Sequence, residues 1–160
     1  ETIMVQNKSL TEKLTFRHLT VDDIDNIIHI DNQIVRRKRS KLFREKLYEQ
    51  LATHGEESLG ALTPEGKLIG YILTETIVYI YGSDDLSAWI VLLGVDPSYQ
   101  DKGVGTALVS KMSADFSEKG VNVIRTICQW DWGDLVEFFS SVGFKPSEYL
   151  TLERETSHNP

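Results

Sequence analysis

The chain has 160 residues, 41% of them hydrophobic and 26% charged, enough for one domain with a sizeable core but hardly for two. Its net charge of -7 repels phosphate backbones and argues against a nucleic-acid partner, and a single cysteine, Cys128, leaves no internal disulfide and fits a reducing cytoplasm. No apolar run approaches the roughly 20 residues of a membrane span, and Glu1–Leu10 lacks the basic-then-apolar order of a signal peptide, so no membrane contact is expected.

In chain order, Leu14–Leu19 is predicted as a short strand. Thr20 with Asp23 three residues later is a helix-capping signal, and Ile24, Ile27 and Ile28 behind it share one helical face. A basic run, Arg36–Lys41, follows; Ser40 is placed to cap a second helix with the stripe Phe43, Leu47 and Leu51. Two strands, Ser58–Leu62 and Lys67–Thr76, are joined by the turn Thr63-Pro64-Glu65-Gly66. Ala88–Val95 is nearly all apolar, as a central strand buried on both faces would be, and Asp96-Pro97 ends its pairing. Gly103 and Gly105 open a helix with the stripe Leu108, Met112 and Phe116, which Gly120 stops. Val121–Cys128 is the next strand. Asp134 and Glu137 form a second capping signal with Asp134 at the cap, before a helix presenting Leu135, Phe138, Phe139 and Val142 and ended by Gly143. Phe144–Glu153 closes as a last strand. The expected order is β-α-α-β-β-β-α-β-α-β, a mixed α/β fold in one domain over residues 14–155, with terminal extensions 1–13 and 156–160.

The segment richest in chemistry is Val95-Asp96-Pro97-Ser98-Tyr99-Gln100-Asp101-Lys102-Gly103-Val104-Gly105-Thr106, where a buried strand ends and glycines open a helix. Unpaired N–H groups at a helix start carry partial positive charge and suit a phosphate, and glycine lets the phosphate come close. A plain strand-to-helix turn has the same look. A Walker loop is excluded because Gly105 is followed by Thr106-Ala107 without the lysine. A Rossmann fingerprint is excluded because Leu108 stands where the third glycine belongs and the loop lies late in the chain.

Gln100, Gly103 and Gly105 resemble motif A of the GNAT acetyltransferases, Gln/Arg-x-x-Gly-x-Gly/Ala after a hydrophobic strand. The run Phe138-Phe139-Ser140-Ser141-Val142-Gly143-Phe144 resembles the family's motif B, and the element order between and around the two motifs is similar to the family's over nearly the whole chain. The resemblance implies a GNAT fold and acetyl-CoA as co-substrate. It implies that the backbone of Gln100, Asp101, Lys102, Gly103, Val104, Gly105 and Thr106 cradles the pyrophosphate. Leu93, Gly94 and Val95 then fall where the family's splayed strand holds the pantetheine arm, with the Leu93 N–H polarising the thioester carbonyl. Phe139 would flank the arm, while Phe138 fits core packing better. The implied reaction is direct attack by a primary amine (a protein N-terminus, a lysine or a small amine) on the thioester, without a covalent enzyme intermediate.

The chain departs from the family at three positions. Phe139 stands where many members have a Tyr acid, Trp89 where some have a Glu base, and Trp132 where an Asn commonly opens the motif B helix. Tyr149 on the last strand, Asp131 and Glu75 are the substitutes, each with a plainer alternative as a strand-surface tyrosine, a helix cap and an outward-facing strand residue. Cys128 reads as packing, since nothing beside it lowers its pKa. Trp130 and Trp132 either wall the acceptor pocket or pack, and the basic run either attracts an anionic acceptor or is a solvated face. His18, His29, His54 and His158 have no metal-ligand spacing, so no metal is expected. Beside the enzyme stand two other readings, an acyl-CoA sensor without turnover and, more weakly, a nucleotide-binding protein. A homodimer is common in the family, and the sequence leaves that open.

Overall fold

The structure is a computed structural model and describes residues 10–36, 38–78, 86–129 and 131–156; Arg37, Trp130 and His158 lie outside the described residues. The chain divides into two compact units, Glu1–Ile127 and Cys128–Pro160.

The first unit holds β1 (Thr15–His18), α1 (Ile24–Ile34), α2 (Phe43–His54), β2 (Leu59–Leu62), β3 (Leu68–Ile77), β4 (Ser87–Val95), α3 (Val104–Glu118) and β5 (Val123–Thr126). The strands form one sheet in the order β1-β2-β3-β4-β5. The first three pairings are antiparallel and β4–β5 is parallel, the crossover that α3 makes available. The β2–β3 connection is the predicted turn, closed by the Gly66 N–H donating to the Thr63 carbonyl at 2.9 Å.

Local signals act where the sequence put them. Thr20 and Asp23 form the predicted capping box around a 3-10 turn, Val21–Asp23, that runs into α1, and Arg17 clamps Asp23 through two bonds of 2.9 and 2.8 Å. Ser40 Oγ accepts the Leu42 N–H at 3.1 Å just before α2. Leu47 and Leu51 from the α2 stripe are buried with Leu19, Ile27, Tyr71 and Leu73, each leucine contributing about 1.5–3 kcal/mol. On the other face of the sheet Leu108, Met112 and Phe116 of α3 are buried, and Val104 and Leu108 press against Gly70. At the end of α3 the Val121 N–H reaches the Phe116 carbonyl and the Gly120 N–H the Ser117 carbonyl, a Schellman stop.

The second unit contains α4 (Gly133–Ser141). Its end repeats the Schellman pattern, with Phe144 N–H on the Phe139 carbonyl at 2.9 Å and the two rings 5.1 Å apart. Two expectations fail here. Asp134 is not the cap: Trp132 precedes the helix, and Asp134 lies in the first turn, where its charge still favours the helix start. No strand forms over Phe144–Glu153 among the described residues, so the order there ends β-α and Tyr149 is not on a strand. Ser147 Oγ accepts the Tyr149 N–H and also donates to its carbonyl, so this backbone closes a local turn instead of a ladder, and Pro146 offers no donor.

Candidate functional site

The site grows from the way β4 changes partners along its length. Its first half, Ser87–Ile90, pairs with Val123–Thr126 of β5; among the described residues the register goes no further. At that point the register with β3 jumps from Leu73↔Leu92 to Thr74↔Ile90, so Val91 is the extra residue of a β-bulge. Val91 is 43% exposed, which corrects the expectation of a strand buried on both faces throughout. Beyond the bulge, among the described residues, only β3 pairs with β4. The Asp96 N–H donates to the Ile69 carbonyl at 2.8 Å, and antiparallel alternation then gives the β3-facing bonds to Gly94 and Leu92. The N–H and C=O groups of Leu93 and Val95 therefore face the opposite edge, away from β3.

That edge runs into the glycine loop. The Asp96 carboxylate, buried, accepts the Ser98 N–H at 2.9 Å and the Lys67 ammonium at 3.2 Å, and a 3-10 turn follows at Pro97–Tyr99. Gln100 folds back so that its amide donates to the Val95 carbonyl at 3.0 Å, and its own N–H closes the turn on Pro97 at 3.4 Å. The fixed Gln of the motif is thus a brace between strand and loop. Asp101 and Gly103 both have positive φ, 58° and 83°. At Gly103 a Cβ would be strained and would sit 3.3 Å from Thr11 Cγ2, so the loop needs glycine there. The first helical bond of α3 runs from the Ala107 N–H to the Gly103 carbonyl, 2.9 Å, so the N–H groups of Val104, Gly105 and Thr106 precede the helix's own ladder. These residues fit a pyrophosphate at the helix start and an extended arm along the open edge of β4.

Burial pushes the Asp96 carboxyl up, but the Ser98 N–H and Lys67 outweigh it and hold the group below the usual carboxylate range. Because the folded value is depressed, the stability it brings is present above the unfolded value near about 3.9 and is lost as pH falls through the folded value. Thermal unfolding followed against pH is expected to show an acid loss below about pH 4 that is smaller in Asp96→Asn.

A second cluster lies on the α1/α2 face of the same strands. Asp31, wholly buried in α1, receives Arg39 Nε at 2.9 Å and Nη2 at 2.6 Å, and the Tyr71 hydroxyl approaches at 3.4 Å. Arg39 also lies 5.0 Å over the Phe43 ring. The hydrogen bond to Asp31 raises the Arg39 pKa, and burial followed by the Asp31 charge raises that of Tyr71. The Tyr71 ring packs on Gly94, where a Cβ would stand 2.5 Å from its Cζ and hydroxyl oxygen. Sequence reasoning missed Asp31 and Tyr71. The available signal was periodicity: Asp31 continues the stripe Ile24, Ile27, Ile28, and a charge on an apolar stripe calls for a partner. Arg39 belongs to the basic run, but its charge is taken up by Asp31.

Glu75, half-buried on β3, sits opposite Trp89, three positions from Ile72, the partner of Leu93, or about 10 Å along the strand. In the second unit Asp131 is exposed, Tyr149 is 49% exposed, and Phe139 is buried with its ring edge-on to Phe138 at 5.3 Å and to Phe144. Among the described residues no three His, Cys, Asp or Glu side chains stand together as metal ligands, and no helix is long and apolar enough to cross a membrane.

The sequence profile of the Acetyltransferase (GNAT) family matches residues 23–144, more than half of the chain and across both motifs. The chain belongs to the GNAT acetyltransferase family. This GNAT chain is 21% identical over 147 residues to an uncharacterized N-acetyltransferase of Methanocaldococcus jannaschii, covering 89% of itself and 65% of that relative, and so spans just under two thirds of its length. Its fold matches an aminoglycoside acetyltransferase from an uncultured soil metagenomic sample in complex with sisomicin, at TM-score 0.71 and 20% identity over 92% of this chain and 99% of the other. It also matches AAC(6')-Iy in complex with the bisubstrate analog CoA-S-monomethyl-acetylneamine, at TM-score 0.66 and 16% identity over 90% and 99% of the two chains.

Proposed function

We propose that this chain moves an acetyl group from acetyl-CoA to a primary amine by direct attack at the open edge of β4. The observation that carries the reading is the continuity of a strand edge that no further strand pairs among the described residues, at Leu93 and Val95, with a helix-start loop, Gln100–Thr106. The loop binds the pyrophosphate through backbone N–H groups, and the edge orients the arm so that the Leu93 N–H meets the thioester carbonyl. The amine nitrogen bonds to the carbonyl carbon, the C–S bond breaks, and CoA leaves as its thiolate. The proton shed by the amine passes to solvent or to the thiolate, with Glu75 acting through water. The reaction takes place in the cytoplasm, and the acceptor is a protein N-terminus, a lysine or a small amine.

The second reading, an acyl-CoA sensor, draws support from Phe139, which carries no ionisable group where many family members place a tyrosine and is buried among phenylalanines. Product formation separates the two. Isothermal titration with acetyl-CoA is expected to give micromolar binding that Gly105→Trp weakens by at least about tenfold. Gly105 has no positive φ, so the bulky side chain crowds the phosphate cradle without straining the helix. A screen with sisomicin, a peptide bearing a free N-terminus and an Nα-blocked lysine then tests turnover. Binding without any acetylated product favours the sensor, and no binding by the wild type overturns both readings.

A further inference from the structure

On the reading that acetyl-CoA lies along the β4 edge, we propose that Asp31 and Arg39 are positioning residues that lock the α1–α2 connection beside that edge and so shape the acceptor side of the site. The network spans the right elements. Arg39, in the connection, is held by a buried carboxylate on α1; that carboxylate meets Tyr71 on β3; and Tyr71 rests on Gly94, next to Leu93. The helix α1 also touches the turn Pro97–Tyr99 that starts the loop. The two faces of the sheet are not equivalent. α3 and the phosphate cradle occupy the Gly70 face, and α1 and α2 occupy the Tyr71 face, so an amine reaching the acyl carbon without meeting the cradle comes from the α1/α2 side. Ser40, Lys41 and Leu42 in the connection are exposed.

Asp31 is a costly residue for a core stripe. A buried carboxylate is retained only with a partner, and removing either member leaves the other uncompensated. A stability role alone would be met by an apolar residue of similar volume, whereas the bidentate fork fixes the direction in which the chain leaves α1.

The test uses the whole chain and the variants Asp31→Asn, Arg39→Gln and the double. Hydrogen exchange is expected to quicken by about tenfold or more across residues 35–42 only. Acetyl-CoA affinity should stay within about twofold of wild type, while the KM of the best-turned-over amine of the three screened rises by about tenfold or more at a nearly unchanged kcat. The double variant should be no worse than the worse single, as coupled residues are, and Arg39→Lys, which keeps the charge but not the fork, should recover part of the KM. Unchanged exchange over 35–42, or an unchanged amine KM in a variant whose exchange has quickened, overturns the proposal. A wild type that takes up no acetyl-CoA overturns the functional reading and the acceptor role with it. Arg39 is partly exposed, so its variants remain informative where Asp31→Asn fails to fold.

Discussion

Leu93→Pro is expected to cut turnover by about 100-fold or more while leaving a folded protein that still binds acetyl-CoA. Proline removes a single N–H. At Leu93 that group faces away from β3, because Leu93 and Ile72 are the non-hydrogen-bonded pair of the ladder, and among the described residues β5 pairs with β4 only as far as Ile90. The residue before it, Leu92, is already extended, as a residue preceding proline prefers. What is lost is the donor to the carbonyl oxygen as charge develops there. The neighbouring Leu92→Pro is the control: its N–H faces β3, and removing it leaves a sheet carbonyl unpaired at a cost of about 1–3 kcal/mol. Steady-state kinetics with titrated acetyl-CoA affinity decides the matter. A folded Leu93→Pro whose kcat stays within about threefold of wild type would show that this N–H does not polarise the carbonyl.

Gly94→Ala is expected to destabilise the fold by about 2–3 kcal/mol, read as a fall of roughly 5–10 °C in the unfolding midpoint. The added methyl would lie 2.5 Å from Cζ and Oη of Tyr71 and 2.8 Å from its Cε1, closer than real contacts come. Neither partner has room to give. Tyr71 is wholly buried, its strand is paired on both sides, and its hydroxyl belongs to the Asp31 network. Displacing the ring would therefore also disturb Asp31 and Arg39. Thermal unfolding of the variant checks the cost, and a midpoint within about 2 °C of wild type would mean that the ring moves freely.

Much of this was legible in the residues. The stripes Phe43-Leu47-Leu51 and Leu108-Met112-Phe116, the Thr20/Asp23 box, the Thr63–Gly66 turn and the stops at Gly120 and Gly143 are local signals, and the structure uses each as read. Gln100, Gly103 and Gly105 likewise stand on the strand–loop–helix unit that their order led one to expect. Failures came where a local signal had competition. Asp134 sits one residue inside the helix that its pattern was expected to start, and the alternating Tyr149-Leu150-Thr151-Leu152 has strand periodicity while Ser147 ties the backbone into a turn.

The sequence by itself determined the elements through α4, the class of fold and the family, because helix periodicity, caps and glycine requirements act within a few residues. Tertiary structure alone decided three things. It placed the bulge at Val91 that turns β4 away from β5 and opens the Leu93 edge; it set Tyr71 against Gly94; and it brought Arg39 onto a carboxylate inside the core. Each depends on the register between strands, or on the face one helix turns to a sheet, and those are fixed by packing among residues far apart in the chain.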